Sequence, residues 1–385
     1  MGRLINTDCR FLVGFRPCRF NKSEGVECLD CRYYRPVGER VLIIKLDAIG
    51  DVLRTSCVTP KIKEKHPDSY LVWLTREEAA DLVRGNPDVD EVWTYGVEAL
   101  TLLQVKEWDY VFNCSNDAPS AALATLARAR TAKIGFLLGA GGAIAPTNEA
   151  AAEWLEIAVF DAVKQANRKS FQQILYEICG FSEPICLPRF TLPADLGDWA
   201  AARVGSWVKS APQIIGVNTG AGRRWPRKMP GVRQLSLIIE ALLEALPQSQ
   251  FLLLGGPEEV EKNQQIQALV NSPRVHDTGC EHSLLKFAAL ISRCHVLLCG
   301  DTLALHLACA LGVHSVALFG PTSYYEIFSY GGLVEKLRAD SLACLCCYSN
   351  CDFDQDCMTG ISTKKIVEAI QNQLKTKGRT WTSPW

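Results

Sequence analysis

The stretch Val41-Leu-Ile-Ile-Lys-Leu-Asp-Ala-Ile-Gly-Asp51 decides the fold of this 385-residue chain. Its first half is short, continuously apolar and rich in β-branched residues, which is typical of a parallel strand buried on both faces. Its second half is a turn containing Gly50, and a helical stretch from Val52 to Lys65 follows, ended by Pro67. The stretch therefore predicts one strand, tight turn and helix.

Strands and helices alternate beyond this unit in two similar sets, one ending near Leu137 and one running from Ile214 to Phe319. Pro184, Pro188 and Pro193 mark a linker between them. The alternation predicts an α/β fold with two doubly wound, Rossmann-like halves. We predict the following ranges: an N-terminal cysteine segment (1–40), a first domain (41–190), a second domain (205–340), a C-terminal cysteine segment (341–360) and a C-terminal helix (361–385).

The charge and hydropathy of the chain exclude several classes of protein. Basic and acidic side chains number 41 and 42, so the whole chain lacks the positive field of a nucleic-acid binder. The sequence holds no run of about 18 uncharged apolar residues and no apolar stretch of a signal peptide near its start. These features predict a cytoplasmic protein and leave contact with a membrane surface open.

Ligands of open parallel sheets bind at the carboxyl ends of the strands, so the loops there carry the candidate site. In the first loop, Asp51 either caps a helix or projects into a cleft. In the second loop, the small residues Thr219 and Gly220 precede Arg223 and Arg224, whose side chains suit phosphate oxygens. This second loop predicts phosphate binding.

Two further loops of the second half carry polar residues at helix starts. Glu258 follows a Gly-Gly pair and either complements the helix dipole or contacts a nucleoside hydroxyl. Asp301 and Thr302 begin a helix whose amides suit a diphosphate, and His306 lies one turn further on. The alternative for His306 is a buried, hydrogen-bonded core residue.

Four motifs occur in order along the chain: Val41 to Leu53, Asn218-Thr-Gly-Ala-Gly-Arg-Arg-Trp-Pro226, Leu254-Gly-Gly-Pro-Glu258 and Gly300-Asp-Thr-Leu-Ala-Leu-His-Leu-Ala308. Together they resemble glycosyltransferase family 9, which includes the bacterial ADP-heptose heptosyltransferases and has the GT-B fold of two facing Rossmann-like halves. The resemblance implies that Asp51 is the general base, and it places the acceptor near Arg54 and Thr55. It assigns donor binding to Arg223 or Arg224 and to Asp301, Thr302 and His306. With the loop positions described above, the candidate donor-binding residues are Thr219, Gly220, Arg223, Arg224, Glu258, Asp301, Thr302 and His306. Arginine and helix amides would neutralise the leaving diphosphate, so we expect no catalytic metal.

The resemblance implies an inverting transfer of a heptose-like sugar from a nucleotide donor, expected to be ADP-heptose, to a hydroxyl of a lipopolysaccharide-core or other glycan. Such an enzyme would work in the cytoplasm or at the inner face of the inner membrane. Two alternatives stay open: a protein O-heptosyltransferase of the autotransporter type, and a non-catalytic, metal-stabilised binding or assembly protein. A nucleotide-sugar epimerase or reductase is disfavoured because no GxGxxG follows the first strand. Lipid-linked acceptors and homo-oligomers also stay open.

The 17 cysteines fall into three groups. Eight are scattered among apolar residues and read as small buried hydrophobic residues. Cys9, Cys18, Cys28 and Cys31 supply four thiolates, enough for a tetrahedral structural site that would hold zinc or iron. A second set is Cys344, Cys347, Cys351 and Cys357, and some autotransporter heptosyltransferases resemble it in holding iron near the C-terminus. Because the C-terminal helix of GT-B proteins returns towards the first domain, one shared site and two separate sites are both allowed. Free thiols and a redox sensor are the alternatives.

Overall fold

The computed structural model describes residues 4–208, 213–222, 226–340, 342, 344, 346–348 and 357–376. These residues form two compact units. The first unit contains the described residues up to Leu46 together with Thr59–Ala80 and Asp88–Asn148. The second contains Asp47–Val58, Asp81–Pro87 and the described residues from Glu149 onward. Each unit is built on its own sheet.

The sheet of the first unit has six strands in the order β3-β2-β1-β4-β5-β6. The residues Val41 to Ile44 of its central strand are fully buried, as the continuous apolar run predicts. Neighbouring strands pair in parallel except for the last pair, β5 and β6, which is antiparallel. The strands are β1 Arg40–Ile44, β2 Tyr70–Thr75, β3 Glu91–Thr94, β4 Glu107–Asn113, β5 Arg128–Leu138 and β6 Ile144–Pro146.

The sheet of the second unit is parallel, with the order β12-β11-β10-β7-β8-β9. Within each unit, the first strand lies between the second and the fourth, which is the doubly wound Rossmann order. The strands are β7 Gln213–Asn218, β8 Ser249–Leu254, β9 Val275–Asp277, β10 Val296–Gly300, β11 His314–Phe319 and β12 Val334–Arg338. The predicted α/β fold with two Rossmann-like sheets is confirmed.

Helices connect the strands of both sheets. They are α1 Arg19–Glu24, α2 Ile49–Thr55, α3 Thr59–Lys65, α4 Glu77–Arg84, α5 Val97–Val105, α6 Ala118–Leu126, α7 Glu149–Val159, α8 Asp161–Ala166, α9 Phe171–Cys179, α10 Ala194–Trp207, α11 Val232–Ala245, α12 Val260–Val270, α13 Leu284–Ser292, α14 Leu303–Ala310 and α15 Thr363–Thr376. Within the described ranges, every helix is too short or too polar to cross a lipid bilayer.

The helix predicted over Val52–Lys65 is interrupted. A 3-10 turn over Ser56–Val58 separates α2 from α3, and the hydroxyl of Ser56 donates to Leu53 O at 2.5 Å. Pro60 lies in the first turn of α3, where its missing N–H group costs nothing. The interruption falls where the chain passes from one unit to the other, because α2 belongs to the second unit and α3 to the first.

The boundary between the units also differs from the predicted limit at residue 190. Helices α7, α8 and α9 belong to the second unit, because their buried polar groups bind there. Gln172 Nε2 donates to the Tyr330 hydroxyl at 2.9 Å, and the Tyr176 hydroxyl donates to Cys57 O at 2.9 Å. Helix α9 is well defined locally by a capping box between Ser170 and Gln173.

The C-terminal helix α15 packs on the second sheet. Ile366 and Ile370 lie in the same buried apolar cluster as Leu298 of β10 and Val316 of β11. The apolar stripe of α15 is therefore buried inside the second unit, and the predicted return of the C-terminal helix towards the first domain stays a prediction. Residues 377–385 lie outside the described residues.

Candidate active site

The candidate site lies in the second unit, at the carboxyl ends of the neighbouring strands β7 and β10. The turn after β7 begins with Thr219 and Gly220, and the turn after β10 contains Asp301 and Thr302. The side-chain amide of Asn218 joins the turns: it donates to Gly220 O at 2.8 Å and to Thr302 Oγ1 at 3.4 Å. Because the strand order reverses between β7 and β10, this edge is the expected place for a ligand.

An ion pair between Lys228 and Asp301 fixes the turn after β10. Lys228 Nζ donates to Asp301 Oδ2 at 2.9 Å and to Asp301 O at 3.0 Å. Burial by itself would raise the pKa of Asp301, but the charges of Lys228, His306 and Arg54 outweigh it and lower that pKa to about 2. Asp301 is therefore an anion that holds Lys228 beside the turn.

Gly300 is required for the approach of Lys228. A β-carbon at Gly300 would lie 2.2 Å from Lys228 O, so any larger residue would push the chain around Lys228 away. Sequence reasoning missed Lys228 and placed the basic group of this loop at Arg223 or Arg224. Those two arginines lie outside the described residues. The sequence feature that could have identified Lys228 is its position two residues after the Trp-Pro pair of the motif.

His306 lies on the first turn of α14 and packs against α2. A β-carbon at Gly50 would lie 3.0 Å from His306 Cδ2. Burial and the charge of Arg54 lower the pKa of His306, the charges of Asp301 and Asp51 oppose this change, and the result is a pKa of about 4. His306 is therefore a neutral imidazole at pH 7, with one nitrogen able to donate and the other able to accept.

Asp51 and Arg54 lie one turn apart on α2. The N-cap of α2 is Ala48, so Asp51 does not cap the helix. Its Oδ1 atom forms an ion pair with Arg54 Nη2 at 2.8 Å. The Asp51 side chain is 34% exposed, whereas that of Arg54 is 9% exposed. The structure thus presents an accessible carboxylate held by a buried guanidinium group, which suits a proton acceptor.

The guanidinium of Arg54 has two further contacts that sequence reasoning missed. Its Nη2 atom also donates to Glu326 Oε1 at 2.9 Å, and its Cζ atom lies 3.8 Å from the centre of the Phe171 ring. Burial acts to lower the pKa of Arg54, but Asp51, Glu326 and Asp301 together raise it. No local pattern could reveal these partners, because Glu326 is 272 residues away along the chain.

Two predicted threonines direct their hydroxyl groups into the protein. Thr219 is fully buried, and its Oγ1 atom donates to Asn263 Oδ1 at 2.6 Å. Thr55 is also fully buried, and its Oγ1 atom donates to Asp51 O at 2.7 Å. Both hydroxyls are therefore engaged in shaping the turn and the helix, and the donor contact of Thr219 and the acceptor contact of Thr55 stay predictions.

The loop after β8 packs on the turn after β7. A β-carbon at Gly220 would lie 2.5 Å from the carboxyl carbon of Glu259, so the small residue allows this approach. Lys262, another residue that sequence reasoning missed, donates from Nζ to Thr219 O at 2.7 Å. The predicted Glu258 is exposed beside them. Glu258 therefore lies at the surface, whereas Glu259 and Lys262 contact the turn after β7.

The start of α14 offers backbone amides. Thr302 is the N-cap, and within the described residues its hydroxyl makes no capping bond. The first N–H groups of a helix have no partner inside the helix and carry its positive dipole end. This arrangement can bind an anion beside Lys228 and His306.

The scattered cysteines are buried, as the sequence predicts. They are Cys57, Cys114, Cys179, Cys186, Cys280, Cys294, Cys299 and Cys309. For Cys299 and Cys309, burial raises the pKa of the thiol, so both are neutral core residues.

The terminal cysteines are not assembled into a metal site in the described part of the chain. There, no three side chains of the His, Cys, Asp and Glu types are placed to hold one ion. Cys9, Cys18, Cys28, Cys31, Cys344 and Cys347 are half-buried, and Cys357 is buried. The Sγ atom of Cys18 instead accepts from Asn21 N at the start of α1. Cys351 lies outside the described residues, so a site that includes it stays a prediction.

The sequence model of glycosyltransferase family 9 (heptosyltransferase) matches residues 100–355. The chain belongs to this family. Lipooligosaccharide heptosyltransferase 2 of Campylobacter jejuni is 24% identical over 177 residues, which cover 44% of this chain and 53% of the relative. The chain thus spans about half the length of the curated relatives it matches.

Solved structures of glycosyltransferases share the fold. The family 9 glycosyltransferase of Veillonella parvula has a TM-score of 0.68 at 17% identity, covering 88% of this chain and 98% of its own. ADP-heptose lipopolysaccharide heptosyltransferase II of E. coli has a TM-score of 0.65 at 17% identity, covering 88% and 99%. The dodecameric iron-containing glycosyltransferase TibC of enterotoxigenic E. coli has a TM-score of 0.52 at 12% identity, covering 88% and 77%. The expected family and its GT-B fold are therefore confirmed.

Proposed function

We propose that the protein transfers a heptose-like sugar from ADP-heptose to a hydroxyl group of a glycan acceptor, with inversion at the anomeric carbon. One observation carries this proposal. The accessible carboxylate of Asp51 lies in the same unit as the anion-binding end of α14, and Gly50 brings α2 against His306. A proton acceptor and a diphosphate site are the two parts that such a transfer needs.

The chemistry follows from these parts. Asp51 takes the proton of the acceptor hydroxyl while that oxygen forms a bond to the anomeric carbon, and the bond from this carbon to the diphosphate oxygen breaks. Lys228 and the amides at the start of α14 offset the negative charge that grows on the leaving diphosphate. The neutral imidazole of His306 donates a hydrogen bond to the same group. The reaction needs one displacement and no covalent enzyme intermediate.

The names of related structures support the choice of donor. The E. coli heptosyltransferase WaaC was solved with ADP, with 16% identity and a TM-score of 0.56. TibC was solved in complex with ADP-D-beta-D-heptose, with 12% identity and a TM-score of 0.53. We therefore expect ADP-sugars to raise the melting temperature of this protein more than UDP-sugars or GDP-sugars do.

The test compares Asp51→Asn with Asp81→Asn. Both aspartates pair with an arginine three residues later on a helix, Asp51 with Arg54 at 2.8 Å and Asp81 with Arg84 at 2.7 Å, but the second pair is exposed. With ADP-heptose and lipopolysaccharide core, Asp51→Asn should lower kcat by about 100-fold or more, because general base catalysis contributes that much. Asp81→Asn should match the wild type.

Donor affinity separates the two parts of the proposal. Asp51→Asn should bind ADP-heptose as the wild type does, measured by calorimetry. Retained turnover in Asp51→Asn would contradict the role of Asp51. Release of ADP with a polypeptide acceptor but not with lipopolysaccharide core would contradict the choice of a glycan acceptor.

A further inference from the structure

Residues 346–348 of the C-terminal cysteine segment are attached to the loop that follows β11. Cys346 N donates to Gly320 O at 3.2 Å, and Tyr348 N donates to Pro321 O at 2.9 Å. The thiol of Cys346 lies 3.6 Å from Thr322 O. These bonds place the described residues 346–348 beside the chain that leads to Glu326.

The backbone at Cys346 and Tyr348 is held in a conformation that such residues rarely adopt. Cys346 has a φ of 63° and Tyr348 a φ of 50°. Residues other than glycine, asparagine and aspartate are uncommon at positive φ, because this backbone conformation is strained for them. A strained backbone persists only where the surrounding structure holds it in place. Here the surroundings are the hydrogen bonds to 320–322, and the consequence is a defined position for the Tyr348 ring.

The hydroxyl of Tyr348 is engaged on both sides. It accepts a hydrogen bond from Ser323 N at 3.0 Å and donates to Glu326 Oε2 at 3.1 Å. Burial and the charge of Glu326 raise the pKa of Tyr348, so the phenol keeps the proton that it donates. Tyr348 therefore fixes one oxygen of the Glu326 carboxylate.

The other oxygen of Glu326 fixes Arg54. A single nitrogen, Arg54 Nη2, donates a hydrogen bond to Glu326 Oε1 at 2.9 Å and forms an ion pair with Asp51 Oδ1 at 2.8 Å. Phe171 supports the guanidinium plane from one face at 3.8 Å, and Arg54 Nε is buried without a hydrogen-bond partner among the described residues. Arg54 therefore has little freedom to turn outward to an acceptor.

We propose that Tyr348, Glu326 and Arg54 form a positioning relay that orients the carboxylate of Asp51, so that the C-terminal cysteine segment contributes to the rate of transfer. This role rests on the proposed function of Asp51 as the base. It differs from the acceptor-binding role that the sequence suggested for Arg54. Hydrogen bonds in such a chain polarise one another, so the loss of the outer bond weakens the inner ones.

The relay is tested with variants that remove one bond each. Tyr348→Phe removes the hydroxyl and keeps the ring, and Tyr34→Phe is the matched control. The Tyr34 hydroxyl also donates to a carboxylate, that of Asp8 at 2.7 Å, but lies in the first unit. Tyr348→Phe should lower kcat by about threefold to tenfold, the worth of one hydrogen bond, with KM for ADP-heptose unchanged. Tyr34→Phe should leave both constants unchanged.

The inner bonds are tested with conservative and truncating changes at Arg54. Arg54→Ala should lower kcat by about 100-fold, the full contribution of a correctly placed base. Arg54→Lys should recover only part of kcat, because an ammonium group does not reproduce the planar geometry of the two bonds. A rise in KM for the acceptor with kcat unchanged in Arg54→Ala would overturn the relay in favour of acceptor binding.

Hydrogen exchange tests the relay independently of turnover. Tyr348→Phe should speed amide exchange in α2, while exchange in α11 of the same unit stays unchanged. If the wild type transfers no sugar but this coupling is present, the proposed function fails and the structural linkage of the relay stands. If Tyr348→Phe has the kcat of the wild type and unchanged exchange in α2, the relay is overturned while the function stands.

Discussion

His306 should stay neutral in the folded protein down to about pH 4, where an ordinary histidine is already protonated. Its imidazole is buried and lies near four charged groups. The cations Arg54 and Lys228 lower the pKa of His306, and the anions Asp301 and Asp51 raise it. Burial and the Arg54 cation are the leading causes, and together they lower the pKa of His306 from 6.5 to about 4.

The effect of His306 on the free energy of unfolding follows from this pKa shift. One pKa unit corresponds to about 1.4 kcal/mol, so the folded state disfavours the protonated imidazole by about 3 kcal/mol. Because the folded pKa lies below the unfolded one, this contribution to stability is complete above about pH 6.5 and is lost as the pH falls towards 4. His306→Gln, which cannot titrate, should lack this part of the pH dependence.

The assay is a titration of the histidine Cε1–H signals by NMR, with His306→Gln to assign the resonance. The midpoint of the assigned signal should lie near pH 4. Urea unfolding at pH 7 and pH 4 should then show that the wild type loses about 3 kcal/mol more than His306→Gln. A midpoint at or above pH 6 would refute the reasoning that burial and the two cations outweigh the two carboxylates.

Two further outcomes test the packing of the site. Lys228→Met should lower the free energy of unfolding at pH 7 by about 3 kcal/mol, because it leaves the buried Asp301 anion without its partner. The control Lys364→Met removes an exposed ion pair at 4.0 Å and should lower the free energy of unfolding by at most about 0.5 kcal/mol. Equal losses in the two variants would contradict the importance of the Lys228–Asp301 ion pair. Gly300→Ala should cost about 1–3 kcal/mol in urea unfolding because its new methyl group meets Lys228 O at 2.2 Å. Gly205→Ala, in α10 with open space around it, should instead add up to about 1 kcal/mol, and a stabilising Gly300→Ala would contradict the close approach.

The local sequence pattern was sufficient to predict the fold class, because a run of consecutive apolar residues indicates a buried strand. The apolar run Val41–Ile44 becomes a fully buried strand. The local sequence pattern was less informative about where a helix is interrupted. The turn over Ser56–Val58 that separates α2 from α3 depends on side-chain bonds and on a proline that a helix tolerates in its first turn.

Sequence alone determined the α/β fold, the family resemblance, and the strand-to-helix segments that contain Asp51, Asp301 and His306. Tertiary structure decided which groups surround them. The pairs Lys228–Asp301 and Arg54–Glu326 join residues 73 and 272 positions apart, so no local pattern encodes them. The physical reason is that charge, burial and the orientation of a carboxylate depend on distance in space, whereas a strand or a helix depends mainly on the residues that follow one another along the chain.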